Sequence, residues 1–159
     1  MSASISVDVQ VASEVESAPG DDEIESWVVS VVDRFPDAAV SEVSVRIVDE
    51  GESRQLNERF RGKDGATNVL SFPADNVDSP ELPAGVPRSL GDIVICGPVV
   101  EREAVEQQKT AADHWAHMLV HGTLHLLGYD HEVSEEAEAM ESMERQILAA
   151  RGVADPYAT

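Results

Sequence analysis

The sequence predicts a small mixed sheet of four strands covered by helices, in a single domain spanning residues 1–159. Three observations lead there. Apolar residues alternate with a period of two in two early segments, and two later apolar runs are short enough for strands. Between and after them, apolar residues recur at the three- and four-residue spacing of helices. At 159 residues and 42% apolar content, the chain has the size of one domain with a real core.

Ile5, Val7, Val9 and Val11 alternate and read as the first strand, which Pro19-Gly20 separates from the first helix. From Asp21 to Phe35, Ile24, Trp27, Val28, Val31, Val32 and Phe35 fall on one helical face. Acidic residues open that helix, where its dipole favours them. Val43, Val45 and Ile47 alternate as a second strand, and a short helix runs from about Glu52 to Phe60. Asn68 to Phe72 and Asp92 to Cys96 supply the remaining two strands. Between them, residues 73–90 are rich in Pro, Asp and Ser and read as a mobile surface loop. After Pro98 the pattern is helical to about Leu127, in two pieces. It is helical again from Ser134 to about Arg151, where Gly152 ends it.

Composition narrows the setting. Cys96 is the one cysteine and lies in an apolar run, so an intrachain disulfide is excluded and a reducing cytoplasm is the expected location. The N-terminal segment lacks the basic start and long apolar core of a signal peptide. No apolar run approaches the roughly 18 residues of a membrane span. The formal net charge of −20 opposes binding to any polyanion, yet its distribution is uneven. Arg54, Arg59, Arg61 and Lys63 lie within ten positions of one another, a local basic patch able to hold a phosphodiester. Glu135, Glu136, Glu138, Glu141 and Glu144 load the last helix, which reads as a solvated outer face.

The chemistry concentrates in His121-Gly122-Thr123-Leu124-His125-Leu126-Leu127-Gly128-Tyr129-Asp130-His131. Histidines four apart on a helix stand one turn apart on the same face, and a reversal at Gly128 can return His131 to them. Burying three imidazoles without partners would cost several kcal/mol, whereas one metal satisfies all three. Imidazole-only ligation favours Zn2+, with nickel, iron and manganese as other divalent choices. Three protein ligands leave a tetrahedral zinc one position short, the open arrangement used in catalysis. The same spacing occurs in metzincin proteases, which carry Glu directly after the first His as general base. Gly122 holds that position here, so ordinary zinc proteolysis is disfavoured. A glycine inside a helix costs about 1 kcal/mol relative to alanine, which predicts a close backbone approach at Gly122.

The run from His117 through His121 and His125 to His131 closely resembles the signature of the YbeY family, bacterial metal-dependent endoribonucleases of ribosomal RNA maturation. Two further segments agree with it. They are Leu56-Asn57-Glu58-Arg59-Phe60-Arg61-Gly62-Lys63-Asp64, running into Thr67-Asn68-Val69-Leu70-Ser71-Phe72-Pro73, and Gly91-Asp92-Ile93-Val94-Ile95-Cys96. The chain departs from the family at Ala66 and Asn68, where Pro and Asp are common.

The resemblance implies an α+β fold with the metal helix among the covering helices. It also implies a single-strand-specific endoribonuclease acting in 16S ribosomal RNA 3′-end maturation and ribosome quality control. Expected partners are ribosomal RNA, the small ribosomal subunit and assembly factors. Arg61 stands where the family carries an arginine before Thr-Asx-Val-Leu-Ser-Phe, and its planar fork matches a phosphate. Arg59 and Lys63 are candidates to hold the RNA backbone. His117, one turn before His121, is a candidate proton shuttle or a hydrogen-bond partner behind the ligands. His114 is a weaker candidate, and Asp130 could orient a ligand imidazole. Two other functions share these residues: a non-catalytic zinc-containing assembly factor, and a zinc hydrolase of another substrate.

Overall fold

The computed structural model describes residues 5–36, 42–74, 89–129 and 134–157. Its elements run β1 (Ser6–Ala12), α1 (Asp21–Val32), β2 (Glu42–Val48), α2 (Glu50–Arg61), β3 (Val69–Pro73), β4 (Ser89–Cys96), α3 (Gly97–Glu106), α4 (Ala111–Leu126) and α5 (Ser134–Ala149). The strands form one sheet in the order β1-β2-β4-β3. β1 and β2 pair in parallel, β2 and β4 pair in parallel, and β3 runs antiparallel to β4, with Ser71 opposite Ile93. This is the predicted α+β arrangement, a mixed four-stranded sheet under helices. Each element falls within a few residues of its expected bounds. Most of the expected 73–90 loop, residues 75–88, lies outside the described residues.

β4 shows why the sheet is covered on both faces. Its residues point alternately to opposite sides. Ile93 and Ile95 enter the main core with Val43, Val45 and Ile47 of β2, Val28 and Val31 of α1, and Leu119 and Leu124 of α4. Val94 and Cys96 enter a smaller cluster on the opposite face, with Val48, Leu70 and Val99 and with Leu56 of α2 packed against it. Both faces of this strand are therefore apolar, and its run reads as nearly continuous hydrophobicity. Cys96 is 1% exposed, the small core residue its neighbours predict.

α4 is the central helix. Its side chains from His114 to Val120 are buried almost without interruption, because it packs against the sheet, α1, α3 and α5. The Thr110 side chain caps its start by accepting a hydrogen bond from the Asp113 amide at 3.1 Å. Its end turns at Gly128, whose φ of +103° lies in the region glycine alone adopts cheaply. The Tyr129 amide returns to the Leu124 carbonyl at 3.1 Å, closing the helix with a Schellman-type bond. No described helix is long and apolar enough to cross a membrane.

Candidate metal centre and cleft

Gly122 sets the depth at which α4 lies on the sheet. A Cβ at this position would stand 2.9 Å from Ile93 Cγ2 and 3.2 Å from Val69 Cγ2, both closer than ordinary packing. The Ser71 hydroxyl donates to the Gly122 carbonyl at 3.0 Å, tying β3 to the helix at the same level. The close approach predicted from a mid-helix glycine is present. It brings His121 and His125, on either side of Gly122, to the edge of β3.

There they line an open cleft of about 520 Å³ with Phe60, Arg61 and residues 67–72. The two imidazole rings stand one turn apart, centroids 5.6 Å from each other and planes at 80°. Arg61 reaches the same cleft from the end of α2. The segment after it is tied back to that helix by buried side chains. Asn57 Nδ2 donates to the Gly65 carbonyl at 2.9 Å, and the Ser53 hydroxyl donates to the Thr67 carbonyl at 3.0 Å while accepting from the Thr67 amide. Among the described residues no carboxylate pairs with Arg61. Arg59 and Lys63 are exposed and are not among the described residues lining the cleft; the Arg59 guanidinium lies 5.3 Å from the Phe60 ring centre.

Behind the ligand face sits a carboxylate that the helical pattern of α5 assigns to a solvated surface. Glu144 is 0% exposed. It accepts from His121 Nδ1 and from His117 Nε2, each at 2.8 Å, and from the Tyr157 hydroxyl at 2.6 Å. Burial by itself would raise this carboxyl's pKa, but the hydrogen bonds from His117 and His121 outweigh it and bring the pKa down to about 2. Tyr157 moves the other way, raised by burial and by its bond to the Glu144 anion. Glu144 does carry a signal in the sequence. It shares a helical face with Met140, Ile147 and Leu148, all buried, and a carboxylate on an apolar stripe signals a buried partner. Tyr157 carries no such local signal.

His117, His121 and Glu144 form a His-His-Glu group that could hold a metal, their donor atoms all within 4.8 Å of one another. Imidazole and carboxylate donors suit zinc and other divalent transition metals. Of the three expected ligands, His121 belongs to this group and His125 stands beside it on the cleft. His131 and Asp130 lie outside the described residues. His117 is 8% exposed, its pKa lowered by burial against the opposing pull of Glu144, and its Nδ1 has no hydrogen-bond partner among the described residues. One turn earlier, His114 Nε2 bonds Glu103 at 2.9 Å, and Asn68 Nδ2 donates to the same carboxylate at 3.1 Å. Asn68 is thus occupied in holding Glu103 beside the cleft.

Comparison with known proteins agrees with these features. Residues 9–152 match the family described as Endoribonuclease YbeY. The chain is 57% identical over 141 residues to an endoribonuclease YbeY of Halorhodospira halophila, covering 89% of each chain. It is 54% identical over 160 residues to that of Idiomarina loihiensis, covering 99% of this chain and 94% of the relative. Among solved structures it is similar to the solution structure of TM1509 from Thermotoga maritima, with a TM-score of 0.55 and 26% identity, covering 96% of this chain and 99% of that one. With the histidine helix, the arginine-lined cleft and the matched length all in agreement, the chain belongs to the Endoribonuclease YbeY family.

Proposed function

We propose that this protein is a metal-dependent endoribonuclease that cleaves single-stranded RNA during ribosomal RNA maturation, at the 3′ end of 16S ribosomal RNA, and in ribosome quality control. The observation that carries the reading is the placement of Arg61 on one open cleft with His121 and His125. Its partners are ribosomal RNA precursors, the small ribosomal subunit and assembly factors, and its location is the cytoplasm.

His121, His125 and His131 are the metal ligands in this proposal, and Zn2+ is the preferred ion. Burial supports that choice over the His117, His121 and Glu144 group. Glu144 is enclosed at 0% exposure, whereas His121 and His125 face a cleft large enough to admit a phosphodiester. With Nδ1 directed at Glu144, His121 would meet the ion through Nε2. Glu144 then acts as the carboxylate that fixes a ligand ring, a common arrangement behind metal centres. When bound, the ion would supply Lewis-acid polarisation of a phosphoryl oxygen.

The chain's own groups do the rest. Arg61 presents a planar guanidinium to the phosphate oxygens, on which negative charge gathers as the bond breaks. Arg59 and Lys63, exposed at the same end of α2, hold the RNA backbone beyond the cleft. His117 acts from behind. Its Nε2 holds Glu144, which holds His121, so it is a positioning residue rather than a proton carrier at the reacting atoms. Asn68 and the Ser71 hydroxyl keep β3 and its neighbours in register with the metal helix.

Cleavage of paired and unpaired versions of one RNA, together with analysis of the product ends, tests the reading. Cutting confined to unpaired RNA is expected. A 2′,3′-cyclic phosphate would assign the attacking group to the RNA's own 2′-hydroxyl, and a linear phosphate to water. Equal cutting of duplex RNA would contradict single-strand specificity.

A further inference from the structure

Across His121 from Arg61 lies a second cavity, of about 500 Å³, whose lining includes Lys109, His114, His117 and Tyr157. Asn68 and His121 line both this cavity and the cleft, so the two spaces meet at the metal helix. The volume is that of a small-molecule site, and Met118 and Pro156 add apolar surface to it.

Lys109 is the one cation on this lining. It is half-buried, and burial lowers its pKa against the pull of Glu103, Asp113 and Glu144. Among the described residues it has no ion pair. The two nearby carboxylates, half-buried Glu103 and buried Glu144, are already engaged. Glu103 accepts from His114 and Asn68, and Glu144 from His117, His121 and Tyr157. The C-terminal cap of α3 delivers Lys109 to the cavity. Gln108, with φ of +57°, is the one non-glycine residue at positive φ among those described, and it forms the turn from α3 into Lys109. This is the left-handed cap of α3, closed by the bond from the Lys109 amide to the Ala104 carbonyl at 2.9 Å. His114 Nδ1 and His117 Nδ1, both buried, have no hydrogen-bond partner among the described residues.

We propose that this cavity is a subsite for the nucleotide adjoining the cleaved phosphodiester, with Lys109 holding that nucleotide's phosphate. The proposal rests on the endoribonuclease reading above. The strand would cross from the cleft past Asn68 and His121 into the second cavity, held by Arg61 on one side of the helix and Lys109 on the other. In a chain of net charge −20, the RNA is held by cations placed at single phosphates rather than by a general field.

The test uses Lys109→Gln and Lys109→Arg with a single-stranded RNA spanning the small-subunit 3′ precursor, and zinc affinity measured in parallel. Lys109→Gln should weaken RNA binding on the order of tenfold. It should also reduce the slope of log affinity against log salt by about 0.7, the value for one single-strand phosphate contact. Zinc affinity should be unchanged, and Lys109→Arg should recover most of the binding. A neutral methylphosphonate walked along the phosphates beside the cut should weaken binding to the wild type at one position, and Lys109→Gln should be indifferent to it there. An unchanged salt slope in Lys109→Gln, or a wild type indifferent to every neutral linkage, would overturn the subsite. A wild type that neither binds nor cuts RNA would instead overturn the endoribonuclease reading on which the subsite depends.

Discussion

Glu144 Oε1 lies 2.8 Å from His121 Nδ1, so a buried carboxylate on α5 fixes the ring of an imidazole on α4. Such a bond sets which nitrogen faces the metal and raises the ligand's basicity. Glu144→Gln keeps the shape but removes the charge and one acceptor. Zinc affinity, measured by competition with a chromogenic chelator, should fall roughly 10- to 100-fold. An unchanged affinity would mean that Glu144 serves only the packing of α5.

Gly122→Ala should destabilise the protein even though alanine favours the helix. The new methyl would meet Ile93 Cγ2 at 2.9 Å, a branch on a stiff strand residue that has little room to turn away. Overpacking of this kind costs about 1–3 kcal/mol, and the gain in helix propensity offsets about 1. Urea unfolding should show a net loss of up to about 2 kcal/mol. A gain in stability would show that α4 can lift from the sheet at little cost.

Arg61→Ala should separate binding of the ion from the chemistry. The guanidinium is on the cleft but is not a metal donor, so zinc content should match the wild type. Cleavage should fall on the order of 10²- to 10³-fold, as when one transition-state donor is removed. Wild-type cleavage by this variant would remove Arg61 from the mechanism.

Glu103 predicts an acid limb in the stability curve. Burial opposes ionisation of its carboxyl, yet hydrogen bonds from His114 and Asn68 hold its pKa below the ordinary 4.5. A carboxyl with a lowered folded pKa adds stability that is fully present above its unfolded value and is lost as pH falls through the folded one. The wild type should therefore lose stability below about pH 4.5 more steeply than Glu103→Gln, and thermal melts across that range check it. Parallel acid limbs in the two proteins would contradict the assignment.

The metal helix is legible in the sequence because its signals are local. Histidines one turn apart, a mid-helix glycine and a glycine at the helix end each constrain the chain within a few residues, and His121, His125, Gly122 and Gly128 all stand where that reasoning puts them. The strands are legible for the same reason, through alternation at Val43, Val45 and Ile47. Glu144 belongs to another class. Five glutamates on one helix read as a solvated face; the apolar stripe around Glu144 marks it as the exception, but only the tertiary packing of α5 on α4 shows that two imidazoles and a tyrosine enclose it. Tyr157 is likewise brought to the metal helix from a distant point in the chain, and no spacing rule links it to that helix.

The central claim is that the His121 and His125 pair supports RNA cleavage. The most direct measurement is cleavage of a single-stranded RNA spanning the small-subunit 3′ precursor by zinc-loaded protein, with His125→Ala prepared and assayed alongside. The wild type should cut, while the variant should bind less zinc and leave the RNA intact. Equal cutting by both proteins, or none by either, would contradict the claim.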